Sequence, residues 1–346
     1  MNVSLVTGAT GFVGNHLVAA LRARGCAVRV LALPTEDTSM LEQAHVAIYR
    51  GDVRRAETLV EPMRGADTVF HLAGIHGPWR PKQEYYSVNV KGTENVCRAA
   101  LAAGTRRLIH VSTWAVYGTG LGRSLDENLP LKPLSDHYTV TKAEADKLVQ
   151  RFIAEEQLPA VIIRPGIMFG PGDKVNFARM ADRLMAGRAI IVGSGHNALV
   201  FVYVTDVIEG LLLAATKDQA VRQAYNLSNE DALSQEQFWQ AVAAEIGTAP
   251  PRLHLPYRAL YALAYLSELL VNPDAPRRQP LITRLGLELF GTDNRVSIDK
   301  ARRELGFTPR VSLREGVHLA ASWYLQQKEE STIALQRGSS GRVQPV

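Results

Sequence analysis

The chain has 346 residues, enough for two domains or for one large α/β unit with an added lobe, and its 46% hydrophobic and 21% charged residues are typical of a globular protein with a full core. The formal net charge of +5 is spread along the chain without a block of like charges, which argues against a nucleic-acid partner. Two isolated cysteines, Cys26 and Cys97, argue against a disulfide framework or a zinc site and indicate a reducing compartment.

The first predicted strand starts at Val3, with no basic segment before it. No apolar run approaches the length of about 18 residues that a bilayer crossing requires. We therefore expect neither a signal peptide nor a spanning helix, and we expect a cytoplasmic protein.

Apolar runs and helical periodicities alternate through the first half of the chain. Helices are predicted from Phe12 to Gly25, over 85–103 and over 138–155. Strands are predicted over 3–6, 27–33, 45–52, 67–74, 106–113 and 159–165. This alternation indicates an α/β fold, a doubly wound parallel sheet of the Rossmann type, whose ligands bind beyond the carboxyl ends of the strands.

After Arg164 the alternation gives way to a loop rich in glycine and proline and then to shorter elements. We assign 1–164 to the Rossmann domain and 165–328 mainly to a smaller, mixed substrate lobe, part of which returns to the sheet. The remaining residues, 329–346, lack apolar periodicity and are predicted to be disordered.

Between the first strand and the first helix stands TGATGFVG, with Gly8, Gly11 and Gly14 at every third position. Glycine permits a tight turn, lets the backbone approach a pyrophosphate and lets the helix pack close to the sheet. The helix N-terminus offers free N–H groups to phosphates. An ordinary glycine turn is the alternative, but the strand–turn–helix context favours a dinucleotide site.

TGATGFVG resembles the extended short-chain dehydrogenase/reductase family, and the likeness extends to about Tyr324. The resemblance implies that Asp52 meets the adenine, that Ala73 lines the cofactor channel and that Asn89 lies near the site, unless Asn89 only supports a loop. It also implies a homodimer formed through a four-helix interface. The cofactor residues that it implies are Thr7, Gly8, Thr10, Gly11, Phe12, Val13, Gly14, Asp52, Val53, Leu72, Ala73, Gly74, Tyr138, Lys142 and Pro165.

YTVTK places Tyr138 and Lys142 four residues apart, and therefore on one face of a predicted helix. A nearby ammonium, together with the charge of an oxidised nicotinamide, lowers a tyrosine pKa, so that Tyr138 could exchange a proton with an alcohol or a carbonyl. A solvated helix face is the alternative for this spacing taken alone. In VSTWAVYG the resemblance implies that Thr113 hydrogen-bonds the substrate oxygen, with Ser112 as the competing hydroxyl.

An acidic residue about 20 positions after the glycines would bind the ribose of NAD, whereas an arginine there would favour NADP. Leu33 and Pro34 end the second predicted strand, Glu36 and Asp37 lie a little beyond it, and Arg29 lies inside it. Neither rule is met. The cofactor is therefore NAD or NADP, and the missing basic residue favours NAD.

Two motif positions argue against sugar-nucleotide chemistry. Trp114 and Ala115 stand where the family's dehydratases typically carry Asp-Glu, and Leu199 stands where an arginine commonly holds a diphosphate. IHGPWRPKQEYYSVNVKGTENV and LPYRALYALAYLSELL instead resemble the branch of 3β-hydroxysteroid dehydrogenases and sterol 4-carboxylate 3-dehydrogenases. This implies a small apolar substrate, a sterol, steroid or triterpenoid alcohol or ketone. The candidate substrate residues are Trp79, Trp114, Ile167 and Tyr203.

The segment from Ala259 to Ser267 carries no charge. We interpret it as a packed helix of the lobe, with a pocket-lining helix and a helix resting on a membrane surface as alternatives. Two other functions stay open: a sugar-nucleotide epimerase of the same superfamily, and an NAD(P)-binding redox sensor without turnover.

Overall fold

The computed structural model describes residues 2–77, 79–231, 233–271, 280 and 282–340, with side chains described as far as residue 333. Strands are numbered in chain order: β1 Val3–Thr7, β2 Ala27–Ala32, β3 Ala47–Arg50, β4 Thr68–His71, β5 Arg107–Val111, β6 Ser124–Leu125, β7 Ala160–Pro165, β8 Ile167–Phe169, β9 Ile191–Val192, β10 Phe201–Tyr203, β11 Ala224–Leu227, β12 His254–Leu255 and β13 Arg295–Val296.

The α-helices are α1 Phe12–Ala23, α2 Ser39–Gln43, α3 Val60–Met63, α4 Lys82–Tyr85, α5 Thr93–Ala102, α6 His137–Glu156, α7 Phe177–Met185, α8 Val204–Thr216, α9 Gln235–Ile246, α10 Tyr257–Leu269, α11 Arg284–Gly291, α12 Asp299–Leu305 and α13 Leu313–Ser340. A π-helix spans Tyr86–Gly92, and 3₁₀ turns span Ala56–Leu59, Trp114–Tyr117 and Asp218–Ala220.

Seven parallel strands form one sheet in the order β11-β7-β5-β4-β1-β2-β3. This confirms the α/β fold of the Rossmann type. Successive residues of β1 enter the apolar clusters on opposite faces, Leu5 beside α5 and α6 and Val6 beside α1 and α8. Continuous apolar runs form these strands because helices cover both faces of the sheet.

The lobe has an aromatic core of its own, in which the rings of Phe201 and Phe238 stack with their centroids 4.5 Å apart. Strand β11 pairs with β7 after the lobe has begun, so the chain does return to the sheet beyond Arg164. The boundary at 164/165 itself stays a prediction. Nowhere in the described residues does a helix combine the length and the apolar character needed to cross a membrane.

The long helix predicted over 85–103 is present, because α4, a π-helical stretch over Tyr86–Gly92 and α5 follow one another without a break. Two other predicted segments differ in the structure. Helix α13 runs on to Ser340, so residues 329–340 are helical where disorder was predicted, and 341–346 lie outside the described residues. Just before this stretch, the Gln326 side chain donates to Glu330 one turn later at 3.0 Å, which supports the helix where it continues past residue 328.

The second difference concerns α10, which contains the uncharged segment Ala259–Ser267 that was interpreted as a packed helix. Only one stripe of it is packed, because Leu260 and Ala264 are buried whereas Leu263 and Leu266 are 55% and 56% exposed. Contact with a membrane surface and homodimerisation stay predictions.

Candidate active site

The loop between β1 and α1 has the geometry that a dinucleotide phosphate requires. Gly8 has a φ of +73°, and a Cβ there would lie 2.7 Å from the backbone nitrogen of Ala73. A Cβ on Gly14 would lie 2.2 Å from the carbonyl oxygen of Gly8, so α1 packs this closely only because residue 14 is glycine. Helix α1 starts after Gly11 with no side-chain cap and no acidic residue in its first turn. Its N–H groups are therefore available to an anion, and the residues fit the pyrophosphate of NAD or NADP.

Several of the predicted cofactor side chains face the protein interior. Thr7 is fully buried and bonds His71, Val53 is 6% exposed in the sheet core, and Phe12 and Val13 pack against apolar clusters. Thr7 and Val53 can therefore contribute to a ligand site only through their backbones. The remaining residues follow β1 or β4 or, for Pro165, form the last residue of β7, and their contacts with a cofactor stay predictions: Thr10, Leu72, Ala73, Gly74 and Pro165.

Asp52 lies just beyond the end of β3 and is bound by its neighbour Arg54. Its carboxylate accepts hydrogen bonds from the Arg54 backbone nitrogen at 2.9 Å and from the Arg54 side-chain Nε at 2.8 Å. Burial raises the pKa of Asp52, but the bonds from Arg54 outweigh burial and leave its pKa below the usual value. Asp52 is therefore ionised at neutral pH and partly neutralised by a cation.

Helix α6 presents Tyr138 and Lys142 on one face at the carboxyl edge of the sheet. The helix is capped by Asp136, whose carboxylate accepts from the backbone nitrogen of Thr139 at 2.9 Å. Lys142 is 8% exposed, and its Nζ donates to the carbonyl oxygen of Val111 at 2.6 Å. The solvated-face alternative is therefore wrong for Lys142, because the ammonium is buried and fixed against the end of β5.

Thr113 is the hydroxyl that meets Tyr138. It is 8% exposed, its Oγ1 accepts from the backbone nitrogen of Ala115 at 3.3 Å, and its hydroxyl lies close enough to the Tyr138 side chain to act on the tyrosine pKa. Ser112, the competing hydroxyl, faces Asp146 instead. Thr113 therefore lies beside Tyr138, and its hydrogen bond to a substrate oxygen stays a prediction.

The residues of this chain alone do not lower the tyrosine pKa. Burial raises the pKa of Tyr138 to about 12, and the hydrogen bond from Thr113 only partly opposes it. Burial also lowers the pKa of Lys142 to about 8, against the attraction of Asp146, which raises it. Tyr138 is therefore a neutral phenol at pH 7, and a lysine that is still mostly protonated lies one turn away.

Asn89 supports a loop, which was its alternative role. Its Oδ1 accepts from the Ile75 nitrogen at 2.8 Å, and its Nδ2 donates to the Ile75 carbonyl and to Thr141 Oγ1, each at 3.1 Å. The backbone carbonyl of Asn89 accepts from Thr93 Oγ1 at 2.6 Å. Asn89 therefore ties the segment after β4 to helix α6.

His71, which no sequence motif singled out, continues this network to the end of β1, just before the glycine loop. The single hydroxyl proton of Thr93 goes to Asn89, so Thr93 must accept from Nε2 of His71 at 3.0 Å. Burial lowers the pKa of His71 to about 3, so the ring is neutral, and its Nδ1 accepts from the Thr7 hydroxyl at 2.9 Å. The tautomer with its proton on Nε2 therefore connects Thr7 on β1 to Thr93, which in turn bonds Asn89.

The sequence analysis also missed the role of Asp146, which follows Lys142 by four residues on α6. Both carboxylate oxygens accept from Arg164 at the end of β7. Arg164 Nη1 in turn donates to the hydroxyl of Tyr117 at 2.7 Å. The helix that carries Tyr138 is therefore fastened to the end of a neighbouring strand.

A cleft opens beside Tyr138. Its wall is aromatic and aliphatic, formed by Trp79, Tyr85, Leu134, Tyr261 and Leu285. Its charged side chains are largely paired within the protein: Arg284 bonds Glu268 at 2.6 Å, Arg80 lies 3.2 Å from Glu84, and Glu288 accepts from Thr119 at 2.6 Å.

Of the four candidate substrate residues, only Trp79 lines this cleft. Trp114 is 1% exposed in a small core with Tyr117 and Val200, and Tyr203 is 4% exposed in the lobe core. Ile167 packs against the same lobe core. Apolar packing thus accounts for these three side chains, and contact of any of them with a substrate stays a prediction.

The end of β2 carries charges of both signs. Glu36 accepts from the Leu33 nitrogen at 2.9 Å, and Arg50, which the sequence analysis did not consider, donates to the carbonyls of Leu33 and Glu36 at 3.2 and 2.9 Å. An acid and an arginine lie together where the adenosine ribose of such folds binds, so the structure leaves both NAD and NADP open. Among the described residues, no group of His, Cys, Asp or Glu could hold a metal ion.

A dinucleotide loop and a Thr–Tyr–Lys set at the carboxyl edge of a doubly wound sheet define an NAD(P)-dependent dehydrogenase or reductase. The family model of the NAD dependent epimerase/dehydratase family matches residues 4–228, and the chain belongs to this family.

Three proteins illustrate the similarity. A 3beta-hydroxysteroid-dehydrogenase/decarboxylase, isoform 1, of Arabidopsis thaliana is 31% identical over 90% of this chain and 77% of its own. A 4-hydroxy-2-methyl-3-oxo-4-farnesyl-3,4-dihydroquinoline-1-oxide ketoreductase of Stigmatella aurantiaca is 32% identical over 91% of this chain and 94% of its own. The crystal structure of gox2253 is 32% identical, with a TM-score of 0.80 over 94% of this chain and 99% of that one.

Proposed function

We propose that this chain interconverts a secondary alcohol and a ketone with NAD(P), on an apolar substrate of the sterol, steroid or triterpenoid kind, with Tyr138 as general acid and base. The observation that carries the proposal is the position of Tyr138 at the wall of the cleft, with the buried ammonium of Lys142 one turn away on the same helix and the Thr113 hydroxyl close enough to act on the tyrosine pKa. A proton donor and a second hydroxyl at one point are what a carbonyl oxygen requires during reduction.

When bound at the glycine loop, the cofactor supplies a nicotinamide carbon that accepts or delivers a hydride. Tyr138, whose pKa of about 12 keeps it neutral at pH 7, gives its proton to the carbonyl oxygen during reduction. Thr113 donates a hydrogen bond to the same oxygen. The positive charge of Lys142 stabilises the phenolate that Tyr138 leaves. In oxidation these residues return the proton by the reverse path.

The nature of the cleft wall supports an apolar substrate. Trp79, Tyr85 and Tyr261 supply aromatic surface next to Tyr138, and most of the neighbouring charges are already paired within the protein. Two similar proteins act, by name, on a hydroxysteroid and on a farnesyl-bearing quinoline oxide, both of which are largely apolar.

The structure also disfavours sugar-nucleotide chemistry at the two motif positions. Leu199 is 2% exposed in the lobe core, so its position offers no cation to a diphosphate. Trp114 and Ala115 are buried and offer no carboxylates for dehydration.

A nicotinamide absorbance screen of hydroxysteroids, triterpenoid alcohols, flavonols and sugar nucleotides, with NAD and with NADP, tests the proposal. We expect turnover of the apolar alcohols and loss of that turnover in Tyr138→Phe. Tight binding of a UDP- or GDP-sugar and its conversion to the epimer, which leaves the nicotinamide absorbance unchanged and is followed by chromatography, with no turnover of the apolar alcohols, would replace the proposal with the epimerase alternative. Tight cofactor binding without turnover of any compound would favour the redox sensor.

A further inference from the structure

The cleft beside Tyr138 is too small to enclose more than about one ring of a substrate. Its volume is about 140 Å³, close to the cavity of about 150 Å³ that holds one benzene ring. Pockets that enclose a whole small molecule usually measure about 300–1,000 Å³. The part of a larger apolar substrate that lies beyond its reacting ring must therefore bind outside this cleft.

An open groove of about 440 Å³ is the neighbour of the cleft. Tyr261 and Glu288 line both spaces, so the groove begins where the cleft ends. The other residues that line the groove all lie on helix α10: Tyr257, Arg258, Ala262 and Tyr265.

Three tyrosines form one row along this groove. Tyr257, Tyr261 and Tyr265 follow one another at four-residue intervals, which places them on one face of α10 and spreads them over about 12 Å of the helix axis. The ring centroids of Tyr257 and Tyr261 lie 5.8 Å apart. The row therefore offers a nearly continuous aromatic surface to a ligand that extends out of the cleft.

Contacts with helix α11 fix the row at both ends. A Cβ on Gly291 would lie 3.0 Å from the Tyr257 ring, so this ring packs directly on the backbone at the end of α11. The guanidinium carbon of Arg284 lies 5.2 Å from the centre of the Tyr265 ring, and the same guanidinium bonds Glu268. Because the rings are already held, a ligand that covers them loses little binding energy to ordering them.

The charged groups of the groove leave this surface free for hydrocarbon. Glu288 accepts from the Thr119 hydroxyl at 2.6 Å, and Arg258 is exposed at the start of α10. An exposed arginine can keep its charge in water while its methylene groups cover apolar surface. The groove therefore suits an uncharged apolar ligand.

We infer that this groove is a second substrate subsite, in which the row of Tyr257, Tyr261 and Tyr265 binds hydrocarbon that the reacting ring carries on the side away from its oxygen. The subsite makes the length of this hydrocarbon a determinant of specificity. The inference rests on the proposed function, because it takes Tyr138 as the point where the reacting oxygen binds.

The test follows a series of 4-alkylcyclohexanones, from 4-methyl through 4-ethyl and 4-propyl to 4-pentyl, in which the chain lies opposite the ketone. We expect wild-type kcat/KM to rise about twofold to fourfold for each added methylene. Ala262→Asp places a carboxylate in the groove, so we expect it to lower kcat/KM for the 4-pentyl ketone about tenfold and to change the 4-methyl ketone less than about twofold. Ala259→Asp is the matched control, because it makes the same change at another exposed alanine of α10 that does not line the groove, and the rise should survive in it.

Calorimetric Kd values for the same series, measured with the oxidised cofactor bound, give a readout that does not depend on turnover. Absence of turnover, with Kd values that fall with chain length in wild type but not in Ala262→Asp, would refute the proposed function and keep the subsite. Equal kcat/KM for all chain lengths in wild type, a rise that Ala262→Asp keeps, or equal losses in both aspartate variants would overturn the inference while leaving the redox chemistry intact.

The same variants distinguish a substrate from a second copy of this chain as the occupant of the groove. Size-exclusion chromatography with light scattering measures the mass of each variant in solution. A smaller mass for Ala262→Asp than for wild type, together with an unchanged ketone series, would assign the groove to a second copy and would also overturn the inference.

Discussion

Arg164 and Asp146 form a two-pronged ion pair in the protein interior, with Nε and Nη2 donating to the two carboxylate oxygens at 2.8 and 2.9 Å. The side chains are only 3% and 0% exposed. Because Asp146 lies on the helix that carries Tyr138 and Lys142, this pair fixes the catalytic helix against the end of β7. The hydrogen bonds and charge of Arg164 outweigh burial and hold the pKa of Asp146 below its usual value.

Removing one partner should therefore destabilise the fold strongly. We expect Asp146→Asn to lower the free energy of unfolding by about 3–5 kcal/mol, because it leaves the Arg164 guanidinium buried without its counter-charge. Glu144→Gln, an exposed change on the same helix, should alter it by less than about 0.5 kcal/mol. Urea denaturation of both variants measures this, and equal stabilities would show that the pair contributes little.

The charge on Lys142 should appear in the pH profile. Because burial lowers the pKa of Lys142 to about 8, its charge is present below that pH and is lost as the pH rises through it. We expect kcat/KM for ketone reduction to fall across this range, since a neutral lysine no longer stabilises the Tyr138 phenolate. Lys142→Arg should remove the decline near pH 8. A decline that persists unchanged in Lys142→Arg would assign it to another group.

The buried histidines should make stability depend on acid. Burial lowers the pKa of His71 to about 3 and lowers that of His110 well below 6.5. Below pH 6.5 both histidines therefore bind protons in the unfolded chain but remain neutral in the folded protein. The free energy of unfolding therefore keeps the full contribution of these neutral histidines above about pH 6.5. Below that pH it falls by up to about 1.4 kcal/mol per pH unit for each histidine.

His110 allows a direct check, because neither of its ring nitrogens has a hydrogen-bond partner within the described structure. We expect His110→Leu to retain stability at pH 7 and to lose about half of the acid-dependent slope between pH 6.5 and 5. The exposed His196→Gln is the control and should keep the slope. Urea denaturation at several pH values measures this slope. An undiminished slope in His110→Leu would show that His110 does not cause the loss of stability in acid.

Gly14 should be essential both for packing and for cofactor binding. A methyl group there would lie 2.2 Å from the Gly8 carbonyl oxygen and 2.5 Å from Ala9 Cα. We expect Gly14→Ala to cost about 1–3 kcal/mol of stability and to weaken NAD(P) binding by displacing the loop. Gly11→Ala, where the nearest atom lies 3.3 Å away, should be milder. Titration by nucleotide fluorescence gives both affinities, and similar values for the two variants would refute the loop geometry.

The sequence predicted the sheet and the catalytic helix well because local patterns determine them. Burial on both faces of the sheet is enough to explain the apolar runs that form β1, β4 and β5. Helical geometry alone is enough to place Tyr138 and Lys142 on one face of α6. The π-helix over Tyr86–Gly92 was not predictable in this way, because its register depends on Asn89 reaching Ile75 and Thr141 across the fold.

The roles of buried polar residues were equally hidden. From the sequence, His71 looks like an ordinary strand residue and Asp146 like an ordinary helix residue. Only the folded structure shows that each one hydrogen-bonds side chains from other elements. The burial of Trp114 and Tyr203 was also not predictable from the sequence. Their positions beside family motifs suggested a ligand, but tertiary packing placed them in apolar cores.

The phenol of Tyr138 carries the central claim, and a single-turnover experiment tests it most directly. Tyr138→Phe, loaded with reduced cofactor and mixed with a ketone that wild type reduces, should transfer hydride about 10²–10⁴-fold more slowly while cofactor Kd changes less than about twofold. A variant that transfers hydride at the wild-type rate with unchanged cofactor affinity would contradict the account.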